Sequence, residues 1–404
     1  MADRTSVRRA GFRRLLAAQS ISSFGDWLAT FALMALVLDI SGSTAAVGGV
    51  LALRLGPAAL AGPLIARLST RLGRKPLLMR LDLVRAAAAA AIPLVRALWW
   101  VYVLTFVLEI CAVVAIAVRD ASVRDLVDDD DLPLANGLLM GATYGAIPLG
   151  AGAFTLISSV SGALPPAIDL GRFYPAFWLD AATFLGSFFL LSRIAELPVA
   201  PDVVAGSGAQ PHLRDSWRIP LVRATLPPLV AASVGIGTLF SLGITFVRET
   251  LGASEAQFGV LVIVFGFGAA AGLAARQIGG RGGVWAVRLG VQMMGAVLIL
   301  MAFAGGLGLT LLMALVFGAS GAYAIVSGIT SLQTDLDPRD RLLALGSFHV
   351  IVRMALAAGA LAAGLAADLL GSGVFGLGPV RSVMLVSGLV VALSAALVRD
   401  VVAD

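Results

Sequence analysis

The chain has little of what soluble enzymes and metalloproteins depend on. Of its 404 residues only 13% are charged, two are His and one is Cys. The single Cys111 excludes a disulfide within the chain and a metal site built on several cysteines. The sequence also lacks the H-E-x-x-H, G-x-x-x-x-G-K-[ST] and G-x-S-x-G patterns. These absences argue against an enzyme, a metal or cofactor site and an ATP-driven pump.

What the chain has in excess is apolar surface. Hydrophobic residues make up 59% of it and the mean hydropathy is +0.95, whereas a soluble domain is about 45–50% apolar. A membrane span needs about 20 mostly apolar residues. Windows of that length predict an all-α membrane protein with twelve transmembrane helices, at 15–40, 45–66, 76–97, 99–118, 134–160, 173–193, 224–247, 254–275, 284–304, 307–330, 344–370 and 379–398.

Arginine placement predicts the orientation. Cytoplasmic loops carry an excess of Lys and Arg, and here the basic residues gather before the first span and in alternate loops. Both termini are therefore predicted to be cytoplasmic. Lys75 is the only Lys, and this Arg bias with heavy use of Ala, Gly and Val favours a bacterial protein, hence the bacterial inner membrane. Because the bases are scattered at span ends and do not form one face, a nucleic-acid partner is not expected. The first apolar segment is too long for the core of a cleavable signal peptide.

A polar, Pro- and Gly-containing stretch divides the chain. It predicts six-helix bundles at 1–195 and 223–404, joined by a cytoplasmic linker at 196–222. The two halves repeat each other at an offset of 210 positions, where 42–62 and 252–272 share nine of twenty-one residues. Six-plus-six parallel repeats are a standard transporter architecture, with the substrate site near the bilayer midplane between the halves.

The loop after the second span resembles the signature loop of the major facilitator superfamily. That signature reads G-x-L-x-D-R-x-G-R-[RK], and Arg71, Gly73, Arg74 and Lys75 match it. The resemblance implies that these residues gate the cytoplasmic side. Thr70 replaces the signature Asp, which in the family helps to lock and release that gate, so the gate chemistry is expected to differ here.

Finer features resemble the macrolide-efflux-type branch, the third drug:H⁺ antiporter family. The segments that carry this resemblance are Ser23-Phe-Gly-Asp26-Trp, Gly62-Pro63, Asp82-Leu-Val-Arg85-Ala, Leu134-Ala-Asn136 and Asp180-Ala-Ala-Thr-Phe184. The resemblance implies a monomeric exporter that exchanges protons for a small molecule. Direction and substrate rest on this analogy alone.

Ionisable residues inside spans are functional candidates, because their cost in lipid must be offset by a partner or a wet cavity. Asp26, Arg54, Glu109 and Arg353 meet this criterion. We expect Asp26 to be the protonation switch with Arg54 as its partner, and Glu109 to be the second choice. At the repeat offset Asp26 matches Ile236, so the repeated fold does not need the charge. A static pair that only fixes helix packing is the alternative.

Two further candidates are a local pair and a lone histidine. Asp82 and Arg85 stand three residues apart, on one helix face, and are predicted to support the cytoplasmic gate. Asp180 is expected near the outer rim, and His349 to pack or to titrate near neutral pH. The combined reading is a proton-coupled exporter of a small amphipathic compound. A lysophospholipid or siderophore transporter and a non-transporting membrane sensor or scaffold remain the alternatives.

Overall fold

The structure is a computed structural model, which describes residues 2–56, 73–128, 131–163, 171, 173–194, 216–278, 283–374 and 376–397. The fold is 89% helical, without a strand in those ranges. Residues 57–72, which include Gly62-Pro63, Thr70 and Arg71, lie outside the described residues, as does most of the linker predicted at 196–222.

Apolar runs of span length account for the helices. Pro220 and Pro338 begin two of them, at first-turn positions where the missing N–H costs no helical hydrogen bond. The helices are α1 (Ala2–Ser41), α2 (Thr44–Leu55), α3 (Arg74–Ala91), α4 (Leu98–Leu126), α5 (Leu132–Tyr144), α6 (Ala146–Ala163), α7 (Tyr174–Ser192), α8 (Pro220–Thr245), α9 (Glu255–Ile278), α10 (Gly283–Ala302), α11 (Leu307–Thr334), α12 (Pro338–Leu369) and α13 (Pro379–Leu397).

Nine helices in the described ranges are long and apolar enough to cross a membrane. Each predicted segment overlaps a helix of the described residues, while the count of twelve and the symmetry of the halves stay predictions. One segment, 134–160, is interrupted at Gly145, between α5 and α6. Pro148 explains the interruption, because it has no N–H for the carbonyl of Tyr144, four residues earlier.

The chain forms two compact units, residues 1–36 with 57–208 and residues 37–56 with 209–404. In the first, α3 packs against α7 and α4. Apolar side chains from α1, α3 and α4 form part of its core, including Leu15, Leu77, Leu78, Val114 and Val118. The sequence-based division at 196–222 remains a prediction.

The second unit takes in α2, which packs against α12 and α8. Asp368, near the end of α12, accepts hydrogen bonds from the backbone N–H groups of Thr44, at 3.0 Å, and Ala45, at 3.1 Å. It also accepts from the hydroxyls of Ser43 and Thr44. These are donors at a helix N-terminus, which an anion stabilises. Asp368 thus caps α2.

Candidate functional site: a charge cluster in the first unit

Helix α1 brings a polar stripe into an apolar core. Ser22 and Asp26 stand four residues apart and therefore lie on one helix face. Between them, Gly25 permits a close approach to α7, because a Cβ there would overlap side-chain atoms of Thr183 and Asp180. The Asp26 side chain keeps 27% of its surface exposed. It is therefore more exposed than Asp82 and Asp180, which are each 1% exposed.

Arg85, in the middle of α3, is the centre of the site. It is 2% exposed, and its Nη2 donates to Asp26 Oδ2 at 2.6 Å while its Nη1 donates to Ser22 Oγ at 3.2 Å. Its guanidinium carbon lies 4.0 Å from the centroid of the Phe184 ring. Such a contact is worth about 2 kcal/mol when the cation is desolvated. Helices α1, α3 and α7 therefore meet at one guanidinium group.

A second acid and a second base lie beside this pair. Asp82 is 1% exposed, and its Oδ1 lies 3.8 Å from Arg85 Nη1, beyond hydrogen-bond distance. Arg119, on α4, is 3% exposed. Both oxygens of Asp82, and Nε and Nη2 of Arg119, lack a hydrogen-bond partner among the described residues. Of the carboxylates near Arg119, Asp82 has the strongest electrostatic interaction with it.

Asp180, on α7, completes the group. It is 1% exposed and its charge attracts Arg85. We call these five residues, Asp26, Asp82, Arg85, Arg119 and Asp180, the charge cluster. It holds three carboxyl groups and two guanidinium groups. Because a buried carboxylate without full compensation takes up a proton instead, such a group can store and release protons.

The cluster differs from the sequence-based assignment in its partners. The sequence predicts Arg54 as the partner of Asp26, whereas the structure pairs Asp26 with Arg85. Arg54 lies near the end of α2, in the second unit, and its pairing with Asp26 stays a prediction. Glu109 is buried in α4 at 6% exposure, and Arg353 is exposed on α12.

Asp82 and Arg85 do lie on one helix face, but in the middle of α3 and beside Asp26. The sequence predicts them near the cytoplasmic end, as supports of the gate, because the apolar segment spans 76–97. The helix itself occupies Arg74–Ala91, which puts both residues near its middle. Sequence reasoning missed Arg119 and Ser22. The signal available was the pair of matching spacings, Ser22 with Asp26 and Asp82 with Arg85, which presents two complementary faces.

The residues of the signature loop that the structure describes are held within the first unit. Gly73 has φ +71°, in the left-handed region that glycine tolerates best, and it directly precedes α3 as its N-cap residue. Arg74 is buried and forms an ion pair with Asp125 of α4. Lys75 Nζ donates to the carbonyl of Ile194 at 2.7 Å. These contacts tie the start of α3 to the ends of α4 and α7.

A protein-family model, described as Major Facilitator Superfamily, matches residues 15–336. No curated protein matches the chain. Solved structures match at low identity, which shows the fold alone. A bacterial homologue of the human lysosomal transporter Spinster, inward-facing and occupied, is 14% identical with TM-score 0.75, and the match covers 95% of this chain and 94% of that one.

Two further solved structures are similar over almost the whole chain. The nucleoside transporter NupG is 13% identical with TM-score 0.75, and the match covers 96% of this chain and 97% of that one. The human organic anion transporter MFSD10 is 18% identical with TM-score 0.64, with 97% and 99% covered.

Proposed function

Because the chain belongs to the major facilitator superfamily and is a multi-pass membrane transporter rather than an enzyme, we propose that it exports a small amphipathic compound in exchange for protons. The observation that carries the proposal is the Asp26–Arg85 pair, 2.6 Å long, inside an apolar helix bundle. A charge inside a membrane span is costly, so residues of this kind are rare and mark substrate pathways and proton relays. Asp26 is the more exposed partner and the acid that first exchanges its proton with water.

Proton binding and transport are coupled because a proton and the Arg85 guanidinium compete for the Asp26 carboxylate. Paired with Arg85, the carboxylate is ionised and the pair is neutral. When a proton binds Asp26, the Arg85 guanidinium loses its closest counter-charge and moves towards another carboxylate of the charge cluster. That rearrangement gives the protonated and deprotonated forms different preferred arrangements, and a ligand shifts an equilibrium only through such a difference.

The test uses the full chain in proteoliposomes with the pH dye pyranine inside. An imposed pH gradient is challenged with ethidium, erythromycin, desferrioxamine and lysophosphatidylcholine in turn. We expect proton flux with ethidium or erythromycin, and its loss in Asp26→Asn, which keeps size and hydrogen bonding but carries no proton. Asp39→Asn, at the exposed end of the same helix, is the matched control and should keep the flux.

The same assay separates the alternatives. A response confined to desferrioxamine or lysophosphatidylcholine favours a siderophore or lysophospholipid transporter. No proton flux with any probe, together with ligand-dependent thermal stabilisation, favours a sensor or scaffold. A folded Asp26→Asn protein that still pumps uphill would make Asp26 structural and Glu109 the next candidate.

We also propose that Arg71, Gly73, Arg74 and Lys75 gate the cytoplasmic side. Neutralising Arg71 and Arg74 together should slow turnover while leaving substrate affinity within a few fold. Arg80→Gln, an exposed residue of the same helix, is the control. Unchanged turnover in the double variant would remove the gating role.

The bacterial inner membrane, the monomeric state and cytoplasmic termini belong to the same proposal. In a Cys111→Ser background, Ser6→Cys and Ser207→Cys should react with a membrane-impermeant maleimide only after the cells are opened. Labelling of either from outside intact cells would reverse the orientation.

A further inference from the structure

Among the described residues, three members of the charge cluster have buried polar atoms without a hydrogen-bond partner: both oxygens of Asp82, Nε of Arg85, and Nε and Nη2 of Arg119. Asp82 is the only acid among the three. Arg85 donates hydrogen bonds to Asp26 and Ser22. Its contact with Asp82 is longer, at 3.8 Å between Nη1 and Oδ1. The Ser187 hydroxyl adjoins the Asp82 carboxyl group, but it too lies outside hydrogen-bond geometry among the described residues. The two oxygens of Asp82 are thus desolvated without the donors that an ionised carboxylate requires.

Physical chemistry then assigns the protonation states. An Arg side chain stays charged in proteins, so Arg85 and Arg119 are both cations at 2% and 3% exposure. Asp26, at 2.6 Å from Arg85, has the contact of an ionised partner. A carboxyl group that is 1% exposed and lacks such a contact is stable in its neutral form. Asp82, rather than Asp26, is therefore the member that carries a proton in this arrangement.

We propose that Asp82 is the internal proton store of the charge cluster and that Arg119 is the cation that holds it when the proton has left. The proposal rests on the proton-coupled function above. In the step itself the O–H bond of Asp82 breaks and the proton passes to Asp26 or to water. The Asp82 carboxylate then accepts hydrogen bonds from Nε and Nη2 of Arg119, which are unused in this arrangement.

The surroundings of Asp82 contain several other groups that titrate or carry charge. On the helices packed around it these are Asp26 of α1, Arg85 of α3, Glu109, Cys111, Arg119 and Asp120 of α4, and Asp180 of α7. Asp180 is the main competitor, because it is as deeply buried as Asp82 at 1%. The experiment must therefore distinguish these two acids.

Infrared difference spectra of the full chain in lipid, recorded between acidic and alkaline pH, need no substrate. The carbonyl stretch of a buried protonated carboxyl group is separated from that of a carboxylate and moves in heavy water. We expect one such band in the native protein, lost in Asp82→Asn and kept in Asp180→Asn and in the exposed control Asp120→Asn. Loss of the band in Asp180→Asn, with Asp82→Asn unchanged, would overturn the proposal.

Arg119 provides a second, independent variant. In Arg119→Gln the carboxylate loses its cation, so the band should persist at alkaline pH, whereas Arg119→Lys should restore its disappearance. An Arg119→Gln spectrum identical to the native one contradicts the proposal even if Asp82→Asn does not fold. Failure of the transport proposal is seen separately, as an Asp82 band that titrates in a protein without proton flux.

Discussion

The two compact units differ in where they bury charge. Among the described residues, the first unit has six buried charged residues and the second has two, Glu255 and Arg276. Both of the latter lie at the ends of α9, where the helix dipole and water are close. Those of the first unit are Arg74, Asp82, Arg85, Glu109, Arg119 and Asp180, and most of them lie in the middle of helices.

The second unit packs its helices through glycine. A Cβ at Gly268 would overlap the backbone of Leu315, and one at Gly272 would overlap the backbone of Ala319, so α9 and α11 approach closely. In lipid, where the hydrophobic effect gives little drive for helices to associate, such small-residue contacts hold them together. The described part of the second unit is therefore assembled without buried charge in the middle of a helix, and the buried charges of the first unit need a reason other than folding.

The largest effect is expected when one charge of the charge cluster is removed, because this tests whether the first unit depends on its buried charges. Arg85→Gln removes the buried partner of the Asp26–Arg85 ion pair, and we expect it to lower the free energy of unfolding by about 3–5 kcal/mol, the usual cost of breaking such a pair from one side. The free energy of unfolding is measured by titrating the protein in mixed micelles with dodecyl sulfate. Adding Asp26→Asn to Arg85→Gln should recover much of the loss, and exposed Arg96→Gln should cost little.

A smaller effect is expected from glycine in the second unit. Gly272→Ala places a methyl group against the Ala319 backbone, so the helices must separate, at an expected cost of about 1–3 kcal/mol. The same unfolding titration applies. Gly305→Ala is the control, since nothing lies within 4 Å of the added Cβ. A neutral Gly272→Ala would mean that close packing is not what holds this unit.

The smallest effect concerns the cap on α2. Asp368→Ala removes the acceptor for donors at residues 43–45 and should cost about 0.5–2 kcal/mol. Asp368→Asn keeps one acceptor oxygen and should cost less, while exposed Asp335→Asn should be silent. If Asp368→Asn were as damaging as Asp368→Ala, the charge rather than the hydrogen bonds would stabilise the cap.

The helices could be predicted from sequence because each apolar run must satisfy its backbone within itself in lipid. Runs such as 284–304 and 379–398 match α10 and α13 closely. The start of α1 at Ala2 was missed, since its Arg-rich first turns are polar although helical. Hydropathy identifies the part of a helix that lies in lipid, and it does not show how far the helix continues beyond the membrane.

The site was predictable in its members more than in its contacts. The free-energy cost of a charge inside a span identifies Asp26 as a candidate. The three-residue spacing identifies Asp82 and Arg85 as a pair on one helix face. The contact between α1 and α3 depends on how each helix is rotated about its axis. Composition does not determine this rotation, because a helix that is apolar on all sides has no face that must point inward. Arg119 was read as a loop residue because hydropathy ended the span at 118, whereas α4 continues to Leu126.

The cap on α2 also has a consequence in time. Ser43 and Asp368 are 325 residues apart in the chain. At a synthesis rate of about 5–20 residues per second, roughly 15 to 65 seconds pass between the making of the helix and the making of its cap. Until then Ser43 Oγ, which accepts from the Ala46 N–H, is the cap available locally. One of the first helices to leave the ribosome is thus completed by one of the last.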